Sequence, residues 1–341
     1  MIARYHNLQR HPAVFLSLTG LRVGEFDQLV KDVTPLYVQA ENKRHALAIT
    51  PSGERQVRRR AIGGGHPFKL KMRDQLLLVV VWLRKYPTHQ LLGFLFGVSD
   101  SVVSKLVKRL VPLLAQLGKD AMRMPDPGRK HRLKLDDLLS ELPELGVVID
   151  TFEQAVQRPE TRGARTAQER EERREERDSW YSGKKKRHTI KSQVCVDRNT
   201  GEIVEVSESV RGPTADITLL KKSNLMKRLP QGVSGEGDLA YVGIASLHSQ
   251  GLGFTPRRKP RGADKHRPRG QDKERPPQDI EYNRAFARSR VIVEHTLCRM
   301  RRYDCLWQTD RHHRKGHTAR TRAVAGLVNR QIRHRLPYLV T

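Results

Sequence analysis

Cysteine and aromatic side chains are scarce in this 341-residue chain, acids are outnumbered by bases, and no long apolar run occurs. Three cysteines, Cys195, Cys298 and Cys305, cannot build a disulfide framework and fit a reducing compartment. The longest apolar run, LLLVVVWL at 76–83, falls far short of the ~20 residues a membrane-spanning helix needs. Charges at Arg73, Asp74, Arg84 and Lys85 flank it. The opening MIARYHNLQRHP lacks the apolar core of a secretory signal. A soluble, cytoplasmic protein without a membrane partner is therefore expected. Aromatics, at 6%, are few for a reader that stacks single-stranded bases, and no KH or RNP-like motif is present. The bases are what the chain has in excess: 65 Lys and Arg against 37 Asp and Glu, a net charge of +28. Such an imbalance drives a compact chain apart unless a polyanion neutralises it, and nucleic acid is the obvious polyanion. At 37% hydrophobic residues the chain still has material for a core.

Residues 1–45 carry apolar positions spaced for one helical face, with a break expected at Thr19 or Gly20. Residues 46–68 read as a loop, and helices resume from Lys71 to about Gly118. Within that block, THQLLGFLFGVSDSVVSKLVKRLVPLL predicts a short helix, a turn at Gly97-Val98-Ser99, and a longer helix from Asp100. Glycine at the turn permits positive φ, and Ser99 or Asp100 offers a capping oxygen. The second helix would turn Val102, Val103, Leu106, Val107 and Leu110 inward. Ser101, Ser104, Lys105, Lys108 and Arg109 would face outward. This is a helix-turn-helix pattern whose polar face suits a DNA major groove; an ordinary helical hairpin is the alternative.

Beyond Leu133 the rhythm changes. LGVVID (145–150) predicts a strand ending at Asp150, and the charged stretch 156–178 a solvated helix or loop in which Glu169 and Arg173 support each other. KRHTIKSQVCVD alternates as a half-buried strand, with His188, Ile190, Ser192, Val194 and Val196 on one face. It turns at Asn199-Thr200-Gly201 into EIVEVSESV. A helix opened by Pro213 and Thr214, a strand ending at Asp238, a strand in GFTPRRKPRG before a basic, Pro-rich stretch, and a long helix over 278–303 complete the order. Together they predict a mixed α/β domain on a hairpin-containing sheet, preceded by an all-α region. The boundaries fall at 1–125 and 133–341.

Three acids stand where a carboxylate is costly unless it has a function. Asp150 and Asp238 lie at strand ends, and Glu294 lies within RVIVEHTLCRM. On that helix Arg290, Glu294 and Arg301 share a face. Carboxylates brought together near a core repel one another, and a divalent cation with a taste for hard oxygen resolves the repulsion. Each acid also has an ordinary reading, as a turn cap or an ion-pair partner. Asp216 in PTADI is a rival, explained at position three of a helix by capping and the helix dipole. The set Cys298, Cys305, His312, His313 and His317 has no standard zinc spacing; Cys298 is expected in the core, and RHHRKGH as a loop touching phosphate. Lys184, Lys185, Lys186 and Arg187 open the strand expected to pair beside that of Asp150. There they would line the mouth of a phosphate site, or protect a sheet edge.

The ordered series IDTFEQ, YSGKKKRHTIKSQVCVD, RGPTADITLLKKS, GDLAYVGI, TPRRKPRG, EYNRAFARSRVIVEH and AVAGLVN, with LTGLRVGEFDQLV and the helix-turn-helix before it, resembles the DDE transposases of the bacterial insertion-sequence-five group, relatives of the Harbinger transposases. The resemblance implies a ribonuclease-H-like mixed-sheet catalytic domain with a DDE triad at Asp150, Asp238 and Glu294. It implies Mg²⁺ or Mn²⁺ as cofactor, and cutting of transposon ends followed by strand transfer. The implied partners are double-stranded DNA, as terminal inverted repeats and target, and further copies of the chain on paired ends. Arg290 matches the arginine of the group's helix signature, and Arg301 stands where lysine is usual. Ala287 stands where an aromatic is usual, and Phe152 is bulkier than the residue common there. The alternative is a catalytically inactive or domesticated relative acting as a DNA-binding repressor or architectural protein.

Overall fold

The computed structural model describes residues 3–45, 69–128, 142–159, 166–259 and 275–335. The loop expected at 46–68 and most of the basic, Pro-rich stretch lie outside them. The chain divides into two compact units, one of residues 1–121 with 302–305 and 322–335, the other of residues 122–301 and 306–321.

The first unit is helical: α1 (Tyr5–Leu8), α2 (Pro12–Thr19), α3 (Val23–His45), α4 (Met72–Lys85), α5 (His89–Phe96) and α6 (Asp100–Asp120). Gly20, at φ 78, ends α2, as the break at Thr19-Gly20 requires. The apolar run 76–83 lies in α4 and is buried all round. Its eight residues span only about 12 Å of helix, and among the described residues no single helix is long and apolar enough to cross a membrane. Thr88 caps α5 by accepting from Leu91 N (3.2 Å), and Gly97 closes it at φ 65. Ser99 then caps α6 by accepting from Val102 N (3.4 Å), which makes the helix-turn-helix. Gly93 keeps this turn tight, since a Cβ there would meet Val98 O at 2.6 Å. The last helix, α12 (His317–Arg335), supplies residues 322–335 to this unit. There its backbone meets that of α6 at a glycine pair: a Cβ on Gly326 would lie 2.6 Å from Gly118 Cα.

The second unit is built on seven strands: β1 (Leu145–Ala155), β2 (Tyr181–Ser182), β3 (Arg187–Asp197), β4 (Ile203–Val206), β5 (Val210–Arg211), β6 (Val233–Glu236) and β7 (Gly253–Phe254). Its helices are α7 (Ala167–Asp178), α8 (Asp216–Ser223), α9 (Leu225–Arg228) and α10 (Pro277–Arg301), with part of α11 (Asp304–Trp307) and the first turn of α12. Strand order is β2-β3-β1-β6-β7, with β4 and β5 on β3. Strand β1 pairs antiparallel with β3 and parallel with β6, and β6 parallel with β7. This is the ribonuclease-H-like α/β arrangement. Val147, Ile149, Cys195, Leu220, Leu225, Met226 and Tyr241 form the core under α8 and α9, each such side chain contributing about 1.5–3 kcal/mol by burial.

Three expectations are corrected here. Strand β1 does not end at Asp150 but runs five residues further, because β3 pairs with it as far as Ala155. Strand β3 is buried at every position from Thr189 onward, with α8 and α10 packed against it, rather than half-buried. Helix α8 begins at Asp216, behind an extended Ala215, and not at Pro213. The charged stretch forms α7, a helix with no buried residue, as expected of a solvated segment, and Glu169 serves a capping box with Thr166 at its start. Residues 160–165 lie outside the described residues.

Candidate active site

Strand β6 stops beside β1 just where the first acid appears. The parallel register pairs Val147 with Gly235 and Val148 with Glu236, and two residues beyond each member of the last pair stand Asp150 and Asp238. Asp238 is past the strand, where its carboxylate accepts from Ala240 N (2.9 Å) and caps a 3-10 turn over Leu239–Tyr241. Asp150 accepts from Thr151 N (2.8 Å) and is half-buried. Burial pushes the Asp150 carboxyl above its usual range. The Thr151 N–H and the Arg290 guanidinium pull it back, while Asp238 and Asp216 push the same way as burial. The two glycines of GEGD make room: a Cβ on Gly237 would sit 2.7 Å from the Tyr241 ring, and one on Gly235 would collide with the Met226 methyl.

Helix α10 brings Arg290 to this place. Its buried phase is Ala285, Phe286, Ser289, Val293, Thr296, Leu297 and Met300. Arg290 is half-buried, with a buried Nε that has no hydrogen-bond partner among the described residues. Glu294, one turn on, and Arg301 are exposed. The structure thus joins Asp150, Asp238 and Arg290, and leaves Glu294 on the open face of α10. Asp216 is a neighbour instead. Its Oδ1 accepts from Lys191 Nζ (2.8 Å), which also donates to Thr214 O (2.6 Å) and faces Glu153 (3.6 Å). Asp216 makes no side-chain cap at the start of α8, so the capping part of its explanation is corrected, while its place in the first turn keeps the helix-dipole part.

Two neighbouring carboxylates, one held above its usual range, are the hard oxygen donors a Mg²⁺-sized cation takes. Asp150 and Asp238 fit such an ion as a pair. Among the described residues, no three His, Cys, Asp or Glu side chains stand close enough to hold a metal by themselves. The same finding removes the Cys298, Cys305, His312, His313 and His317 set. Cys298 is exposed, outside the buried phase of α10, and Cys305 is buried. His317, the first residue of α12, is a core residue and no part of a phosphate loop. Its Nε2 donates to Gln154 Oε1 (2.9 Å) and its Nδ1 accepts from Ser209 Oγ (2.8 Å). Burial, then Arg320, lowers its pKa to about 3, so the ring is neutral.

On α6, Ser101, Lys105 and Lys108 are exposed as expected. Val102 is exposed too, and not inward. Ser104 is half-buried, and Arg109 turns back to pair with Glu41. Lys184, Lys185, Lys186 and Arg187 form an exposed turn between β2 and β3, with Lys186 at φ 53. Val194 is the residue facing Asp150, so Arg187 lies seven residues along β3, about 24 Å at strand rise. The basic run therefore sits at the far end of the β1–β3 ladder rather than at the mouth of the acid pair. A buried acid went unnoticed in the sequence. Glu236, two residues before Asp238, pairs with Arg198 and accepts from Ser289 Oγ (3.1 Å). A Cβ on Gly146 would collide with this pair, at 2.7 Å from Glu236 Oε1. No local signal separates this structural acid from Asp238, because its partner comes from the β3–β4 turn.

Comparisons with known proteins agree with this geometry. Residues 149–329 match the family described as DDE superfamily endonuclease, a span that contains Asp150, Asp238 and Glu294. Residues 68–120, which include α4, α5 and α6, match the helix-turn-helix of DDE superfamily endonuclease. A relative from Microchaete diplosiphon, the probable transposase for insertion sequence element IS702, is 27% identical over 264 residues, 77% of this chain and 82% of the relative. No solved structure matches the chain significantly. With more than half of its length matched, and an acid pair at the end of β6, the chain belongs to the DDE superfamily of endonucleases.

Proposed function

We propose that this chain is the transposase of an insertion element, which binds terminal inverted repeats, cuts the element's ends and joins them to target DNA. The observation that carries this reading is the β1–β6 register, which sets Asp150 beside Asp238 where β6 stops, in a chain of net charge +28 that also bears a helix-turn-helix. The similarity to a probable insertion-sequence transposase over most of both chains supports it. In this reading Asp150 and Asp238 hold Mg²⁺ or Mn²⁺, and Glu294 completes the triad from α10 when DNA fills the cleft. Bound there, the cation supplies the positive charge that a phosphodiester gathers as it is attacked and as its leaving oxygen departs. Arg290 offers its unpartnered buried N–H to a phosphate oxygen beside Asp150. Ser101, Lys105 and Lys108 read the repeat from the exposed side of α6, with Ser104 and Arg109 at its margin. Lys184, Lys185, Lys186 and Arg187 hold the backbone further along the duplex, and Arg301 adds a contact on α10. The chain works as a homo-oligomer on paired ends, in the cytoplasm at the nucleoid, as residues 1–125 binding DNA and residues 133–341 cutting it.

The test is a cleavage assay on duplexes carrying the element's ends, with and without Mg²⁺. Expected are nicks at the element boundary that vanish without the cation. Binding of those ends without any cleavage, across Mg²⁺ and Mn²⁺ concentrations, would favour a DNA-binding repressor instead.

A further inference from the structure

We propose that Asp216 is a fourth carboxylate of this site, held by Lys191 and reaching the cation through its water shell, with the Tyr241 hydroxyl as the donor that fixes Asp216 once the ion is bound. This deepens the reading above and rests on it.

At the acid pair, Asp216 and Asp238 add negative charge around Asp150, and Arg290 opposes them. Asp216 is positioned rather than incidental. It is the first residue of α8, it is half-buried, and Lys191 engages its Oδ1 while Oδ2 makes no hydrogen bond among the described residues. Helix α8 packs against the 3-10 turn that Asp238 caps, so Asp216 is carried to the Asp238 side of the sheet. Lys191 is in turn fixed from two sides, by Glu153 opposite it on β1 and by Thr214 O in the connection before α8.

The independent observation is Tyr241. Its ring lies against Gly237, the residue just before Asp238, and the side chain is wholly buried. Its hydroxyl has no hydrogen-bond partner among the described residues. A buried donor left unpaired costs on the order of 1–3 kcal/mol, so an acceptor is missing at this spot. The hydroxyl lies in the field of carboxylates, Asp216 first and then Asp150 and Asp238, which together with burial hold it far from ionising. It is therefore a buried, un-ionised donor in the turn that Asp238 caps. Mg²⁺ and Mn²⁺ keep several waters when bound by one or two carboxylates, and those waters need outer acceptors. In this proposal Asp216 is that outer acceptor, and Tyr241 is the group that locks it once the ion is bound.

The experiment is Mn²⁺ binding to the DNA-free, full-length protein, read by calorimetry and by the loss of the free-ion electron-spin signal. Asp216→Asn is expected to weaken Mn²⁺ about 10–100-fold, the range for losing an outer-shell partner. Wild-type affinity in Asp216→Asn, with its thermal melt unchanged, would overturn the proposal. Tyr241→Phe guards against misfolding of the first variant, because it removes only the orphan hydroxyl. It should raise the melting temperature without metal and yet weaken Mn²⁺ several-fold, a pair of opposite signs that a purely structural tyrosine does not give. Unweakened Mn²⁺ binding in Tyr241→Phe would likewise overturn the role given to the hydroxyl. Asp150→Asn separates this inference from the one beneath it. If Asp150→Asn abolishes binding and Asp216→Asn does not, only the fourth carboxylate fails; if both bind as wild type, the cation site itself fails.

Discussion

Acid should weaken this fold through a single buried ring. His317 is neutral in the folded chain because burial, and secondarily Arg320, lowers its pKa from 6.5 to about 3. In the unfolded chain the ring is free to take a proton near pH 6.5. A lowered folded pKa means that the unfolded state binds more protons between about 3 and 6.5, so stability is whole above pH 6.5 and falls as the pH drops through that window. The slope within it approaches about 1.4 kcal/mol per pH unit. Between pH 7 and pH 5 the loss from His317 comes to about 2 kcal/mol. The assay is urea unfolding at both pH values, for wild type and for His317→Gln, whose amide retains a donor and an acceptor but does not titrate. Glu236 and Asp150, both raised by burial, act in the opposite sense and cancel in the comparison. Wild type should lose about 2 kcal/mol more than His317→Gln over that interval. Equal losses would refute the burial of a neutral imidazole between Gln154 and Ser209.

Gly118→Val should lower the stability of the helical unit by about 1–3 kcal/mol, since its Cβ would meet Arg322 O at 2.6 Å; an unchanged thermal melt would show that α6 and α12 do not cross there. Replacing Lys184, Lys185 and Lys186 by Gln should reduce the slope of log affinity against log salt by about 2–3 on duplexes long enough to reach them. On duplexes that end within about six base pairs of the cut, the same substitutions should change little, because the turn stands about 24 Å along the ladder from Asp150. A length-independent effect would place the lysines at the cut after all.

What could be read in advance was what local chemistry dictates. Gly97 at positive φ and Ser99 as a cap are written within a few residues of the helices they join, so the helix-turn-helix was legible. The order of strands and the acid at the end of each apolar run were legible for the same reason. Long-range partners were not. Asp216 looks like a helix cap until Lys191, 25 residues earlier, takes its carboxylate. Glu236 and Asp238 share one tetrapeptide, yet Arg198 makes the first a structural ion pair and leaves the second to the site. Strand β1 outlasts its apolar run because β3 satisfies Thr151 to Ala155 from across the ladder. His317 belongs to a histidine-rich stretch that suggests a surface, and only Gln154 and Ser209, far away in sequence, put it in the core. The basic turn does open β3, but that end of the strand lies away from Asp150. Distance along a strand follows from register, and register depends on which residues pair.

The most direct measurement compares Asp150→Asn with wild type on duplexes carrying the element's ends, scoring Mg²⁺-dependent nicking and end binding in the same reactions. Cleavage should fall below detection while end binding stays within about twofold, since the carboxylate serves the cation and not the helix-turn-helix. An Asp150→Asn protein that still nicks the ends at a rate near wild type would contradict the assignment of the acid pair.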